Sequence, residues 1–218
     1  MKMKSAMNAV VRGLYAVTPD IADTPELEAR VEAALLGGAT LVQYRNKTAD
    51  ARLRSLQAAA LRALCREHAV PLIINDHLEL AASLDTDGLH LGKDDALLTQ
   101  ARTRLGPDKL LGASCYDRLE NAVAAVRAGA DYVAFGSFFP STVKPGAVQA
   151  PLALLRKARR ELAVPIVAIG GITLDNAAQV IAAGADAVAV ISALFSVPDT
   201  RAAAERFKEL FDTTIVQT

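Results

Sequence analysis

Eight short apolar runs, alternating with helical segments, constrain the fold of this 218-residue chain more than any other feature. LEARVEAALLGGATLVQYR, AVAAVRAGADYVAFGS and AAQVIAAGADAVAVIS are three copies of one pattern. In each, an alanine-rich helix ends near Gly-Ala, where a left-handed backbone is needed, and a β-branched run follows. The runs are near-continuous rather than alternating, which marks strands covered on both faces, as in parallel sheets. Strands are predicted at 13–17, 40–44, 71–75, 87–91, 109–113, 131–135, 165–169 and 186–191, and helices at 24–37, 50–68, 77–83, 95–104, 118–128, 151–161, 174–183 and 200–211. Eight strand–helix units predict an α/β fold, the (β/α)8 TIM barrel, as one domain spanning 1–218. Residues 1–11 read as a short extension and 213–218 as a tail. An open doubly wound sheet is the alternative, but no Gly-rich dinucleotide fingerprint follows the first strand.

Lys plus Arg equals Asp plus Glu at 24 each, so no global field draws the chain to nucleic acid or an anionic membrane. A phosphate ligand must then be held by a local site. Cys65 and Cys115 show no metal or redox spacing, which fits a reduced, cytoplasmic setting. MKMKSAMNAVV lacks a leucine-rich core and a cleavage site, and no stretch reaches the roughly 18 to 20 apolar residues of a membrane span. A soluble protein is expected.

Chemistry in such barrels sits on the loops after the strands' C-terminal ends. After the first strand, Thr18-Pro19-Asp20 reads as a turn. After the second, alternation puts Gln43, Arg45 and Lys47 on one side, suiting a di- or triphosphate or, alternatively, forming a solvated basic turn. The third strand ends in Asn75-Asp76. Asp76 could cap the next helix, with Glu79 completing a capping box. Asp95 follows the neighbouring fourth strand, and strand spacing is roughly 5 Å. Two carboxylates that close raise each other's pKa unless a cation intervenes, and an oxygen-only ligand set points to Mg2+. Capping by Asp94 or Asp95 is the competing reading.

Ser114 ends the fifth strand with no histidine near it in sequence, so it reads as a hydrogen-bonding hydroxyl rather than a nucleophile. The long loop GSFFPSTVKPGA offers Ser141, Thr142 and Lys144 as a small anion site. Gly170-Gly171 after the seventh strand and Ile191-Ser192 after the eighth form the recurrent phosphate position of these barrels. His90 reads as an interior residue, His68 as a helix C-terminal cation and His77 as a surface residue beside Asp76.

These motifs together resemble the thiamine-phosphate synthase family over nearly the whole chain. LYAVTPD, VQYRNK, LIINDHLELA, DGLHLGKDD, LGASC, GADYVAFGSFFPSTVK, VAIGGI and GADAVAVISAL carry the resemblance, in that order. It implies a transferase that joins 4-amino-2-methyl-5-hydroxymethylpyrimidine diphosphate to a thiazole phosphate, releasing pyrophosphate. By motif position, Gln43, Arg45 and Lys47 would contact the pyrimidine and its diphosphate, and Asn75 the diphosphate. Asp76 and Asp95 would bind Mg2+, Ser114 would lie beside the pyrimidine, and Ser141 and Lys144 would reach pyrophosphate. Gly171, Ile191 and Ser192 would hold the thiazole phosphate. The family's Gly-Gln after HL is Gly92-Lys93 here, and its Pro-Thr-x-Thr-Lys is Pro140-Ser141-Thr142-Val143-Lys144. The resemblance implies small-molecule substrates as partners and leaves a homo-oligomer open. The alternatives are a thiazole tautomerase of the same fold, which needs no metal, and a silent phosphate-binding barrel.

Overall fold

Parallel pairing of the apolar runs closes the sheet on itself. In the computed structural model, which describes residues 10–92, 95–140, 146 and 148–215 (side chains of 95, 96, 214 and 215 excepted), eight strands pair in sequence order and β8 returns to β1. β1 (Gly13–Val17), β2 (Leu41–Tyr44), β3 (Leu72–Asn75) and β4 (Gly88–Leu91) form one half. β5 (Leu110–Tyr116), β6 (Tyr132–Phe135), β7 (Ile166–Ile169) and β8 (Ala187–Val190) form the other. The helices between them are α1 (Thr24–Leu36), α2 (Ala51–Glu67), α3 (Leu78–Ser83) and α4 (Asp95–Leu105). Then come α5 (Leu119–Arg127), α6 (Leu152–Glu161), α7 (Ala177–Ala182), the single-turn α8 (Ser192–Phe195) and α9 (Thr200–Ile215).

Strand alternation splits the core in two. Leu14, Val42, Ile74, Leu89, Val133, Ala168 and Val188 point outward and pack against the helices. Tyr15, Leu41, Ile73, Leu110, Tyr132, Val167 and Ala187 point inward and fill the lumen. Every strand is therefore buried on both faces, which is why the runs are continuous rather than alternating. Asp23 and Asp50 start α1 and α2 by accepting from Glu26 N and Leu53 N, at 2.7 and 2.8 Å.

The face opposite the strand C-termini is stapled by one repeated device. Asp87, Asp131 and Asp186 each stand one residue before an even-numbered strand. Their carboxylates accept from the backbone N–H of Leu72, Leu111 and Ile166 on the preceding strand, at 2.9, 2.9 and 2.7 Å. Arg102 also donates to Asp131, and Arg159 to Asp186. At β2, Thr40 takes the corresponding place and donates to Arg12 O and Leu14 O. The half-buried Asp131→Ala variant leaves Arg102 and Leu111 N without that acceptor. Urea unfolding is expected to show a loss of about 3 kcal/mol, with a smaller loss for Asp131→Asn.

Most boundaries shift by a residue or two, and three differ by more. β5 runs on to Tyr116 through a register irregularity between Ser114 and Tyr116, a bulge-like device common beside active sites. α7 starts at Ala177 rather than 174 because Asn176 bonds locally, accepting from Thr173 N at 2.9 Å and donating to Gly171 O at 3.0 Å. α9 continues to Ile215 instead of ending at 211. No helix among the described residues is long and apolar enough to cross a membrane.

Candidate active site

The loop after β2 is held rigid by the loop after β1, and this aims its cations. Buried Thr18 donates to Arg45 O and accepts from Arg45 N, at 2.8 and 2.9 Å. Asp20 accepts from Lys47 N at 2.9 Å and from Arg45 Nη1 at 3.2 Å. Asn46 turns inward, where its carbonyl oxygen accepts from Thr48 N and Ala49 N at 3.1 and 3.0 Å. Thr18-Pro19-Asp20 is thus more than a turn: it is the clamp that orders the neighbouring cationic loop.

Arg45, Lys47, Arg54, Asn75, Asp76 and His77 line one cavity of about 290 Å³ at this end of the barrel. Arg54 lies in the first turn of α2 and is absent from the sequence-derived set. Its Nη2 donates to Ala49 O at 2.6 Å, while its Nε is buried with no hydrogen-bond partner. Burial, followed by the Arg54 charge, lowers the pKa of His77, which is exposed and also lines the cavity.

Asp76 does not cap α3. That helix begins at Leu78 behind His77 and has no side-chain cap. Asp76 stands outside it with φ +62°, a left-handed conformation rare for a residue bearing a side chain. Its carboxylate accepts from the Asn75 amide at 2.6 Å, and its N–H donates to His90 O at 2.9 Å, tying the ends of β3 and β4. Glu79, the other half of the expected capping box, pairs instead with Arg104 at 3.1 Å. An exposed carboxylate that caps no helix fits a hard divalent cation that keeps most of its waters. The described residues contain no group of three or more His, Cys, Asp or Glu side chains able to hold a metal. Asp95 opens α4, but its side chain lies outside the described residues.

The barrel lumen carries a chain of polar contacts. Gln43 Nε2 donates to Tyr15 Oη at 2.8 Å, and Tyr15 Oη lies 2.9 Å from Tyr132 Oη. Tyr132 Oη is 3.0 Å from His90 Nδ1, and His90 Nε2 is 2.9 Å from Ser114 Oγ. His90 is interior, as its strand position suggests, and burial pushes its pKa down to about 4. Ser114 therefore does have a histidine beside it, from the adjacent strand.

Beyond β6, the chain passes tightly over β7. Phe139 N donates to Gly170 O at 3.1 Å, and a Cβ on Gly171 (φ +64°) would meet Pro140 O at 2.3 Å, so only glycine fits there. Ser141 and Lys144 follow Pro140 and lie outside the described residues, as do Lys93, Asp94 and Thr142. Ile191 precedes the single turn of α8, which Ser192 opens. Gly171, Ile191 and Ser192 are thus placed at the ends of the adjacent strands β7 and β8.

A closed (β/α)8 barrel with cations and a carboxylate gathered at the C-terminal ends of its strands, and a polar lumen, has the build of a barrel enzyme. Residues 14–194 match the family model described as thiamine monophosphate synthase, and the chain belongs to that family. It is 57% identical over 202 residues to the thiamine-phosphate synthase of Aromatoleum aromaticum, covering 93% of this chain and 97% of that relative. The thiamine-phosphate synthase of Methylobacillus flagellatus is also 57% identical, over 93% of this chain and 96% of its own length. The solved thiamine phosphate pyrophosphorylase from Pyrococcus furiosus superposes with a TM-score of 0.85 at 35% identity, covering 96% of this chain and 99% of that one. These likenesses make the chain a transferase.

Proposed function

We propose that the chain joins 4-amino-2-methyl-5-hydroxymethylpyrimidine diphosphate to a thiazole phosphate, giving thiamine phosphate and pyrophosphate. The observation that carries this reading is a cavity lined jointly by Arg45, Lys47 and Arg54 with Asn75 and Asp76. Three cations with an amide suit a diphosphate, and a carboxylate among them is useful only if a metal shares the anion. Asp76, with Asp95, would hold Mg2+, which when bound supplies neutralising charge to the diphosphate oxygens.

The chain's own groups then perform a dissociative substitution. Arg45, Lys47 and Arg54 stabilise negative charge as the carbon–oxygen bond to pyrophosphate breaks, and Lys144 adds to them from the loop after β6. Asn75 orients the diphosphate. Gln43 and Ser114 hold the pyrimidine while its amino group delocalises the methylene cation. Gly171, Ile191 and Ser192 hold the thiazole phosphate, with its ring nitrogen in reach of that carbon. Ser141 borders the phosphates. No protein nucleophile is required. Cytoplasmic placement is supported by the two buried cysteines, Cys65 and Cys115, neither of them in a disulfide.

The test is pyrophosphate release, which should require both substrates and a divalent cation. Release from the pyrimidine diphosphate alone at the same rate would contradict a coupling enzyme. Isomerisation of a thiazole phosphate without the pyrimidine would instead support a tautomerase. Arg54→Ala is expected to raise KM for the pyrimidine diphosphate roughly tenfold to a hundredfold, the size of a lost charged hydrogen bond, and to spare KM for the thiazole phosphate.

A further inference from the structure

The polar chain across the lumen has a direction that can be worked out by counting donors. Gln43, Tyr15, Tyr132 and His90 are at most 6% exposed, so each must settle its hydrogen bonds with its neighbours. The Gln43 amide nitrogen can only donate, so it occupies Tyr15 Oη as an acceptor. The Tyr15 hydroxyl hydrogen is left Tyr132 as its described acceptor, at 2.9 Å. Tyr132 must then pass its own hydrogen to His90 Nδ1, at 3.0 Å. A neutral imidazole accepting at Nδ1 carries its hydrogen on Nε2 and donates it to Ser114 Oγ, at 2.9 Å. The other tautomer, or an imidazolium, would donate from Nδ1 to Tyr132 and leave one buried phenol hydrogen with no acceptor. Reversing the chain requires the Gln43 amide to turn over and present oxygen to Tyr15.

The fold makes room for this chain. His90, Gly112 and Tyr132 stand side by side in register on β4, β5 and β6. A Cβ on Gly112 would lie 2.3 Å from Tyr132 Oη and 2.6 Å from His90 Nδ1, so glycine is what lets those two atoms meet. The tilted packing of the His90 and Tyr132 rings, centroids 5.6 Å apart, completes the layer.

We propose that Tyr15, Tyr132 and His90 are positioning residues that impose one direction on this relay, so that Ser114 meets the substrate as a hydrogen-bond donor and Gln43 as an acceptor. Ser114 Oγ already accepts from His90, so its hydroxyl hydrogen is directed elsewhere, toward a ring nitrogen. Gln43 has its nitrogen engaged and offers its oxygen to an amino group. Resting on the synthase reading above, this makes the relay the selector for an aminopyrimidine over an oxopyrimidine, whose carbonyl accepts where the amine donates. It also removes Ser114 as a nucleophile, because the facing nitrogen of His90 already bears a hydrogen.

Nitrogen-15 NMR of the histidine rings in the intact wild-type protein tests the direction without reference to activity. His90 is expected to be neutral with its hydrogen on Nε2. A hydrogen on Nδ1, or an imidazolium, overturns the proposal. Tyr132→Phe keeps the ring but removes the donor to Nδ1. It is expected to mix the His90 tautomers and to lower kcat/KM for the pyrimidine diphosphate roughly tenfold, as for one lost hydrogen bond. KM for the thiazole phosphate should stay unchanged. Adding Tyr15→Phe should cost little more, because the chain is already cut. Losses that multiply, or that fall equally on both substrates, overturn the relay. Wild type with the expected tautomer but no product contradicts the synthase reading and leaves the relay standing.

Discussion

Asp76→Asn should abolish most turnover while leaving the barrel as stable as before. The carboxylate has no structural load to lose: it caps no helix, and the described partner of its oxygens is the neighbouring Asn75 amide. The backbone at Asp76 is left-handed at φ +62°, and asparagine tolerates that region as well as aspartate does. Removing the negative charge, however, removes the ligand that would anchor Mg2+ beside the diphosphate. The loss of several kcal/mol of leaving-group stabilisation corresponds to a fall in kcat/KM of roughly a thousandfold. Steady-state kinetics beside a thermal melt separates the two effects. Normal turnover would contradict the metal role, and a lost fold would return Asp76 to a structural one.

Gly112→Ala should damage both the packing of the lumen and the activity. The added Cβ would lie 2.1 Å from Tyr132 Cζ, and Tyr132 is fully buried. Tyr132 cannot retreat, because its ring packs edge-on to Tyr15 with centroids 6.1 Å apart and its hydroxyl is bonded on both sides. Overpacking of this kind costs about 3 kcal/mol, a fall of roughly 6–12 °C in Tm for a chain this size. Activity should fall further than stability, since the His90–Tyr132 bond is severed at the same time. Pairing Gly112→Ala with Tyr132→Leu should recover much of the Tm but not the lost kcat/KM. A melting curve unchanged by Gly112→Ala would contradict the close approach of the three strands.

The barrel was legible because both-face burial writes itself into continuous apolar runs, and eight of them admit few closures. The strand ends were legible for the same reason: once the runs are strands of one barrel, the residues after them must share a face. Interactions across the sheet were not. Thr18 and Asp20 read as a turn because nothing local shows that they clamp Arg45 and Lys47. Asp76 and Glu79 match a capping box in spacing, yet the left-handed turn at Asp76 delays the helix by one residue, so that His77 takes the cap position. Arg54 sits within a helical pattern rich in charge, where a guanidinium facing a cavity looks like one facing water. Tyr15 and Tyr132 carry no mark of their own in the sequence, although alternation places them inside with Gln43, His90 and Ser114. That parity was the available signal for the pairing of His90 with Ser114, 24 residues apart. Asp95, Ser141 and Lys144 remain assignments by motif position.

The most direct test of the magnesium–diphosphate cradle is the rate of thiamine phosphate formation, read as fluorescent thiochrome, against Mg2+ concentration in wild type and in Asp76→Asn. Wild type should make product with saturable dependence on Mg2+ and none in chelator, and the variant should stay near baseline throughout. Product formed equally well in chelator would contradict the metal site, and no product from wild type at any Mg2+ concentration would contradict the synthase itself.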